Sequence, residues 1–431
     1  MGRLTPAATR SLLAGVAEAD AAHRRDWPGR PTTRQPVQVL YVPAHRLPED
    51  PVATLGGEAR RLLADHAPDG VTLASAVDLP GSMGDRVHAR VRAKLDREPI
   101  EDLRVDFEDG YVGHDEAEED ADAVRTGRIV GRMLVEDRCT PFSGLRVKSF
   151  TDGLAGRSVA TLDGFLEALL GEAGRLPDGF VVTFPKIVAV AHVAAFVDVL
   201  AALEAAHGLA PDTLGFEAQI ETTASVLGPD GRVVLRDIRD AGAGRLRAVH
   251  FGVFDYTAAL GVPPEQQRLD HPGCDIARHL MQITFAGTEV RLSDGSTNVV
   301  PAEDITPAVH EAWHVHAGHV RHSLLHGFEQ GWDLHPAHLV SRYAAVFGHL
   351  LDGIDEVMAR LDAWEEGRGG GPVMDEPATV AVLRRRVDRA VECGALDRVI
   401  APPPRSGQVT GATPPADGAP TRSSLPGNGT R

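Results

Sequence analysis

The chain has 431 residues, enough for one large α/β domain with extensions or for two domains. Its 61 acidic residues outweigh 44 basic ones, and the resulting net charge of −17 speaks against nucleic acid or an anionic membrane as the main partner. Three well-separated cysteines without a CxxC, and no run of about eighteen apolar residues, argue against a disulfide framework, a zinc knuckle or a membrane span and for a cytoplasmic protein.

Residues 1–36 read as an amphipathic helical arm, capped by Thr5 with Pro6 at the first helical position, followed by a Pro/Arg-rich connector. From 37 to 345, strand-like and helix-like segments alternate. The strand candidates are "VQVLYVPA" (37–44), "LRVDFED" (103–109), "GLRVKSF" (144–150), "FVVTFPKI" (180–187), "LGFEAQIET" (214–222), "AVHFGVFDY" (248–256), "TEVRLSD" (288–294) and "GWDLHPA" (331–337). Helical stretches such as "DGFLEALLGEAGRL" and "CDIARHLMQITFAG" lie between them. Eight such βα repeats predict a closed (β/α)8 TIM barrel, with a doubly wound sheet as the rival. Residues 346–400 read as a C-terminal helical extension, and 401–431, rich in Pro, Gly, Ser and Thr, as a disordered tail.

The strands are not uniformly apolar, as a doubly wound sheet would prefer. In "DLRVDFEDGY", Leu103, Val105 and Phe107 alternate with Arg104, Asp106 and Glu108 before Asp109-Gly110 ends the run. On the third strand Arg146 and Lys148 share a face, and on the fifth Glu217, Gln219 and Glu221 do. In a barrel these faces point inward, which gathers the charged residues in the interior and at the C-terminal mouth where barrel enzymes place their sites.

Glu221 ends the fifth strand and Asp255 nearly ends the sixth, so the two carboxylates are expected to be neighbours. Oxygen ligands so placed suit Mg²⁺ or Mn²⁺; each acid could equally cap a loop or pair with an arginine.

"VDFEDGY", "LRVKSF", "VTFPKI", "EAQIETTASV", "VHFGVFDYTAALG", "IARHL" and "GFEQGWDLHPAHL", in this order over roughly residues 38–345, resemble the strand-end motifs of the citrate lyase β-subunit, malyl-CoA lyase and HpcH/HpaI aldolase superfamily. That resemblance implies a metal-dependent TIM-barrel lyase that makes or breaks a carbon–carbon bond beside a carbonyl, through a metal-stabilised enolate. It assigns Mg²⁺ to Glu221 and Asp255, the substrate carboxylate to Arg146, and an acidic pair near the metal to Glu108 and Asp109. It also implies a small hydroxy or keto acid, or its CoA thioester, as substrate, and a homo-oligomer, trimeric or hexameric. The chain departs from the pattern at Lys148, where the family has asparagine, and around "GPDGRVVLRD", which lengthens the connection after the fifth strand.

Of the 44 basic residues only Lys94, Lys148 and Lys186 are lysine. Lys148 and Lys186 sit near the expected mouth, where a lysine could form a Schiff base, although neighbouring acids favour an electrostatic role. Lys148 is thus a catalytic candidate and Lys186 a substrate-binding one. His335, opening the eighth βα loop, is a further substrate-binding candidate, or else a loop-packing residue. In "HEAWHVHAGHVRHSLLH" the pairs His310/His314 and His322/His326 have metal-ligand spacing, but no third ligand is evident and the segment reads as a solvated outer helix. Two other functions compete with the lyase: a phosphoenolpyruvate-handling phosphotransferase, and a metabolite-binding barrel without catalysis.

Overall fold

Side-chain alternation along the strands sorts this sequence into two environments. Leu103, Val105, Leu145, Val182, Phe216, Ile220, Val249 and Phe251 are fully buried against the surrounding helices. Their neighbours Arg104, Thr183, Gln219 and His250 are equally buried but polar, and occupy the opposite face. A sheet sheltered on both faces yet polar on one fits a sheet curled on itself, and a computed structural model shows this curl.

The structure describes residues 3–366 and 376–397, which fall in one compact unit. Eight parallel strands run β1 (Gln38–Pro43), β2 (Asp102–Asp106), β3 (Phe142–Arg146), β4 (Phe180–Phe184), β5 (Gly215–Ile220), β6 (Leu246–Phe251), β7 (Arg291–Ser293) and β8 (Gly331–Asp333). They pair in the order β7-β6-β5-β4-β3-β2-β1-β8. Between the two end strands, Asp294 N–H donates to the Gln330 carbonyl at 2.8 Å and Trp332 N–H to that of Gly295 at 3.4 Å, so the sheet nearly closes. The protein is an α/β TIM barrel.

The interior is held by paired charge. Arg104 donates to Thr183 Oγ1 at 2.6 Å, Glu217 Oε2 at 2.7 Å and Asp102 Oδ2 at 2.8 Å. An ion buried without partners would cost several kcal/mol. Burial pushes Asp102 up to about 6, whereas Arg104 and His250 outweigh burial at Glu217 and hold it near 2. A separate apolar cluster of Val39, Tyr41 and Trp332 packs on β1 and β8.

Several expected boundaries shift. β3 ends at Arg146, so Lys148 lies beyond it, and the residues expected to extend β6 instead open a helix, Val253–Ala259, whose first turn carries Asp255. The arm comprises two short helices, Pro6–Leu12 and Val16–Asp26, neither with a buried residue; Thr5 caps the first through Ala8 N–H. Its connector is anchored by Arg34, 2.6 Å from Glu98 and 3.0 Å from Glu101. The 345/346 boundary falls inside the almost fully buried helix Pro336–Leu351, which Ile354–Glu365 and Pro377–Cys393 follow. The Pro/Gly-rich stretch 401–431 lies outside the described residues.

The histidine-rich segment departs from expectation. The helix Thr306–Leu325 is not a solvated outer helix: Trp313 is fully buried, and His316 and His319 are 1% and 8% exposed. No described helix is long and apolar enough to cross a membrane.

Candidate active site at the barrel mouth

Beyond the C-terminal ends of β2, β4, β5 and β6 the chain delivers four acids and one lysine to a single place. Glu108 and Asp109 follow β2, Lys186 follows β4, Glu221 follows β5, and Asp255 enters on the helix after β6. Lys186 Nζ donates to Glu108 Oε1 and, at 2.7 Å, to Asp109 Oδ1, and lies 3.1 Å from Asp255 Oδ2. Its backbone N–H donates to Glu221 Oε1 at 2.7 Å. The turn that permits this holds Lys186 at φ +47°, a strained region for a residue with a Cβ.

Arg146 forms the other half of the site. Its Nε and Nη2 bind both oxygens of Asp106, at 2.6 and 2.7 Å. Nη1 lies 3.1 Å from Glu108 and 3.3 Å from Asp109. The guanidinium sits over the rings of Tyr41 and Trp332, 5.1 and 6.0 Å from their centroids. The bidentate fork is therefore spent on Asp106, and a substrate carboxylate can meet only the Nη1 edge.

Burial, then Asp109, push Glu108 up towards 7 against the pull of Arg146, while Arg146 and Glu108 outweigh burial at Asp109 and hold it near 2. The two acids behave as a pair sharing a proton. Burial also raises Glu221 to about 8, and Lys186 is the largest influence opposing it. At Lys186 burial works against charge, but Glu108, Glu221 and Asp109 more than offset it, so the ammonium stays protonated. A protonated lysine is no Schiff-base nucleophile.

A cavity of about 280 Å³ is lined by Tyr41, Asp109, Arg146, Glu221, Asp255 and Trp332, among others, with Glu108 and Lys186 behind its lining. Two larger concavities, about 670 and 880 Å³, lie along the arm connector; the second also touches the N-terminal ends of β2, β3 and β4, the end where barrel enzymes do not place catalysis.

Two other candidates stand apart. Lys148 donates to the Phe107 carbonyl at 2.8 Å, lies 3.4 Å from Glu119 and covers the Tyr111 ring, so it braces the loop after β2. His335 caps the helix Pro336–Leu351, its Nδ1 accepting from Ala337 N–H. Tyr41, Asp106 and Trp332 belong to the site but were not among its candidates. Asp106 shows the inward alternation of β2, whereas nothing local marks Tyr41 or Trp332.

The donor set fits a hard divalent cation. Glu221, Asp255, Glu108 and Asp109 offer only carboxylate oxygens, the preference of Mg²⁺ and Mn²⁺. Lys186 Nζ is a stand-in cation among three of them. At Gly252 a Cβ would come within 2.3 Å of Glu221 Oε2, so only glycine leaves that carboxylate its space.

Residues 16–402 match the model of a family described as a domain of unknown function, DUF6986. The chain belongs to this family. No curated protein matches it. Among solved structures, this DUF6986 chain is similar to a citrate lyase from Burkholderia xenovorans LB400, at 18% identity over 84% of this chain and 93% of that one, with a TM-score of 0.53. A malate synthase from Haloferax volcanii aligns at 15% identity over 86% and 99% of the two chains, TM-score 0.49. An HpcH/HpaI aldolase/citrate lyase family protein from Burkholderia cenocepacia J2315 aligns at 13% over 79% and 99%, TM-score 0.39. At such identity the first similarity establishes the barrel fold, the one the strand-end motifs implied.

Proposed function

We propose that this DUF6986 protein is a carbon–carbon lyase or condensing enzyme, dependent on Mg²⁺ or Mn²⁺, acting on a small hydroxy or keto acid or its CoA thioester. The observation that carries this reading is the gathering of Glu108, Asp109 and Asp255 around the Lys186 ammonium, with Glu221 on the Lys186 backbone N–H and Arg146 alongside. The strand-end motifs, and a barrel shared with a protein named as a citrate lyase, support the same reaction class.

Glu221 and Asp255 would hold the metal, with Glu108 and Asp109 facing it across Lys186. Bound there, the ion supplies Lewis-acid stabilisation of negative charge developing on a carbonyl oxygen. Arg146 Nη1 orients a substrate carboxylate, and the Tyr41 and Trp332 rings wall the cavity beside it. One of the acid pair beside Arg146, Glu108 or Asp109, would take up or return the hydroxyl proton of the bond being cleaved. Lys186 neutralises the acids when no divalent ion is present and has to swing aside when one enters.

The test is release of a keto acid or glyoxylate from a panel of 2- and 3-hydroxy acids and their CoA thioesters, followed by a coupled dehydrogenase. Turnover should require Mg²⁺ or Mn²⁺ and fall on the order of 100-fold or more in Asp255→Asn. Equal turnover by the variant, or turnover that requires a nucleotide, would overturn the lyase reading.

A further inference from the structure

The mouth makes no use of the histidines ending the helix Thr306–Leu325. His322 and His326, with side chains 22% and 18% exposed, face the helix Pro272–Phe285. That helix presents Asp275 and His279, also four residues apart, so each helix offers one pair on adjacent turns.

Asp275 Oδ1 lies 3.0 Å from His322 Nε2 and 3.7 Å from His326 Nε2. The three residues' ligand atoms all fall within 4.8 Å of one another. Around a tetrahedral ion with bonds of about 2.0–2.1 Å, ligand atoms stand roughly 3.3 Å apart, between the two distances observed. Small rotamer adjustments close the set. The other nitrogen of His326, Nδ1, meets His279 Nε2 at 3.1 Å. With the proton on Nδ1, the lone pair of His326 Nε2 points at Asp275, the arrangement in which a hydrogen bond behind a ligating histidine fixes its tautomer.

The helices are already held in place. Gln282 donates to the His326 carbonyl. Arg278 shares Asp275 Oδ1 at 2.8 Å, but its Nε reaches both oxygens of buried Asp294 at 3.0 Å and its Nη2 binds the Leu269 carbonyl. Its other nitrogens being held by Asp294 and Leu269, it orients the carboxylate.

We propose that Asp275, His322 and His326 form a second metal site, selective for a borderline divalent ion such as Zn²⁺, that clamps the helices Pro272–Phe285 and Thr306–Leu325 together. Two imidazoles and one carboxylate suit Zn²⁺ and Co²⁺ over Mg²⁺, and the partial exposure leaves an entry path and a coordination position for water. The other His/Asp group among the described residues, His316, Asp333 and His338, differs in kind. Asp333 there is held bidentately by Arg342 at 2.8 and 2.9 Å, and His338 is spent on the Val299 carbonyl and Leu334 N–H.

The test uses untagged full-length protein stripped with a chelator and titrated with Co²⁺ as a spectroscopic probe, then with Zn²⁺ by calorimetry. Expected are one site per chain with a tetrahedral ligand-field band, displaced by Zn²⁺ but not by excess Mg²⁺, and a Zn²⁺-dependent rise in unfolding temperature. The paired substitution His322→Ala with His326→Ala should weaken Zn²⁺ by about 100-fold or more, whereas Glu221→Gln should leave it unchanged. Asp275→Asn, which keeps the side-chain shape, guards against a folding defect and should also lose the site. An absent Co²⁺ band, or equal Zn²⁺ affinity in wild type and these variants, would overturn the proposal.

Discussion

Lys186 is the residue on which the mouth turns. It bonds to two of the four acids through Nζ, approaches a third and holds the fourth through its backbone, and its φ of +47° aims the side chain where an extended strand end would not. An ammonium and a divalent ion cannot share one position, so a metal held there would compete with Lys186. Replacing Lys186 with methionine should lower the unfolding midpoint in chelator, because the acids lose their counter-charge, and should enlarge the rise on adding Mg²⁺ beyond that of wild type. Thermal melts with and without Mg²⁺ check this; identical Mg²⁺ responses would show that lysine and metal do not occupy the same place. The sequence marked Lys186 and Lys148 alike as strand-end lysines. Only the turn after Pro185 sends one into the acid cluster, while the other reaches back to the Phe107 carbonyl.

At the scale of the elements, the sequence placed a candidate on each of the eight strands and read a polar face on the second, third and fifth. It could not find their ends. "GVFDY" continues the β-branched and aromatic run of β6, yet from Val253 the chain turns helical, which moves Asp255 from a strand end to a first helical turn. The histidine-rich segment was misjudged for a related reason. A 3.6-residue period shows which residues share a face, whereas the groups that cover the face come from elsewhere in the chain: His316 meets Ser341, and His322 meets Asp275, 47 residues away. Glu108, Asp109 and Glu221 follow their strands in the expected order, and Asp255 enters in the helical turn after β6. Tyr41 and Trp332 were not legible in the sequence, because their role depends on β1 pairing with β8.

For the whole molecule, burial of neutral imidazoles ties stability to pH. His338 is completely buried, stacked on His316 with centroids 4.2 Å apart, with Asp333 and His335 also facing it. Burial first, and then His316, depress it from 6.5 to about 3. Below about pH 6.5 the unfolded chain takes up a proton there that the native state refuses, so this group's contribution is lost as pH falls. Acids such as Glu221 shift the other way, so the clean observable is a difference between proteins. His338→Gln, which can still donate to the Val299 carbonyl, should gain on wild type by roughly 2 kcal/mol between pH 7.5 and pH 5 in urea unfolding. A constant difference across that range would mean that native His338 takes up its proton over the same pH range as the unfolded chain.

A divalent-cation site at the barrel mouth built on Glu221 underlies the proposed chemistry, and calorimetric titration of oxalate, a planar mimic of a pyruvate enolate, tests it most directly. Oxalate should bind wild type in Mg²⁺, bind poorly in chelator, and bind Glu221→Gln more than about 100-fold more weakly even with Mg²⁺ present. Binding that is indifferent to Mg²⁺ and to Glu221, or no binding under any condition, would contradict it.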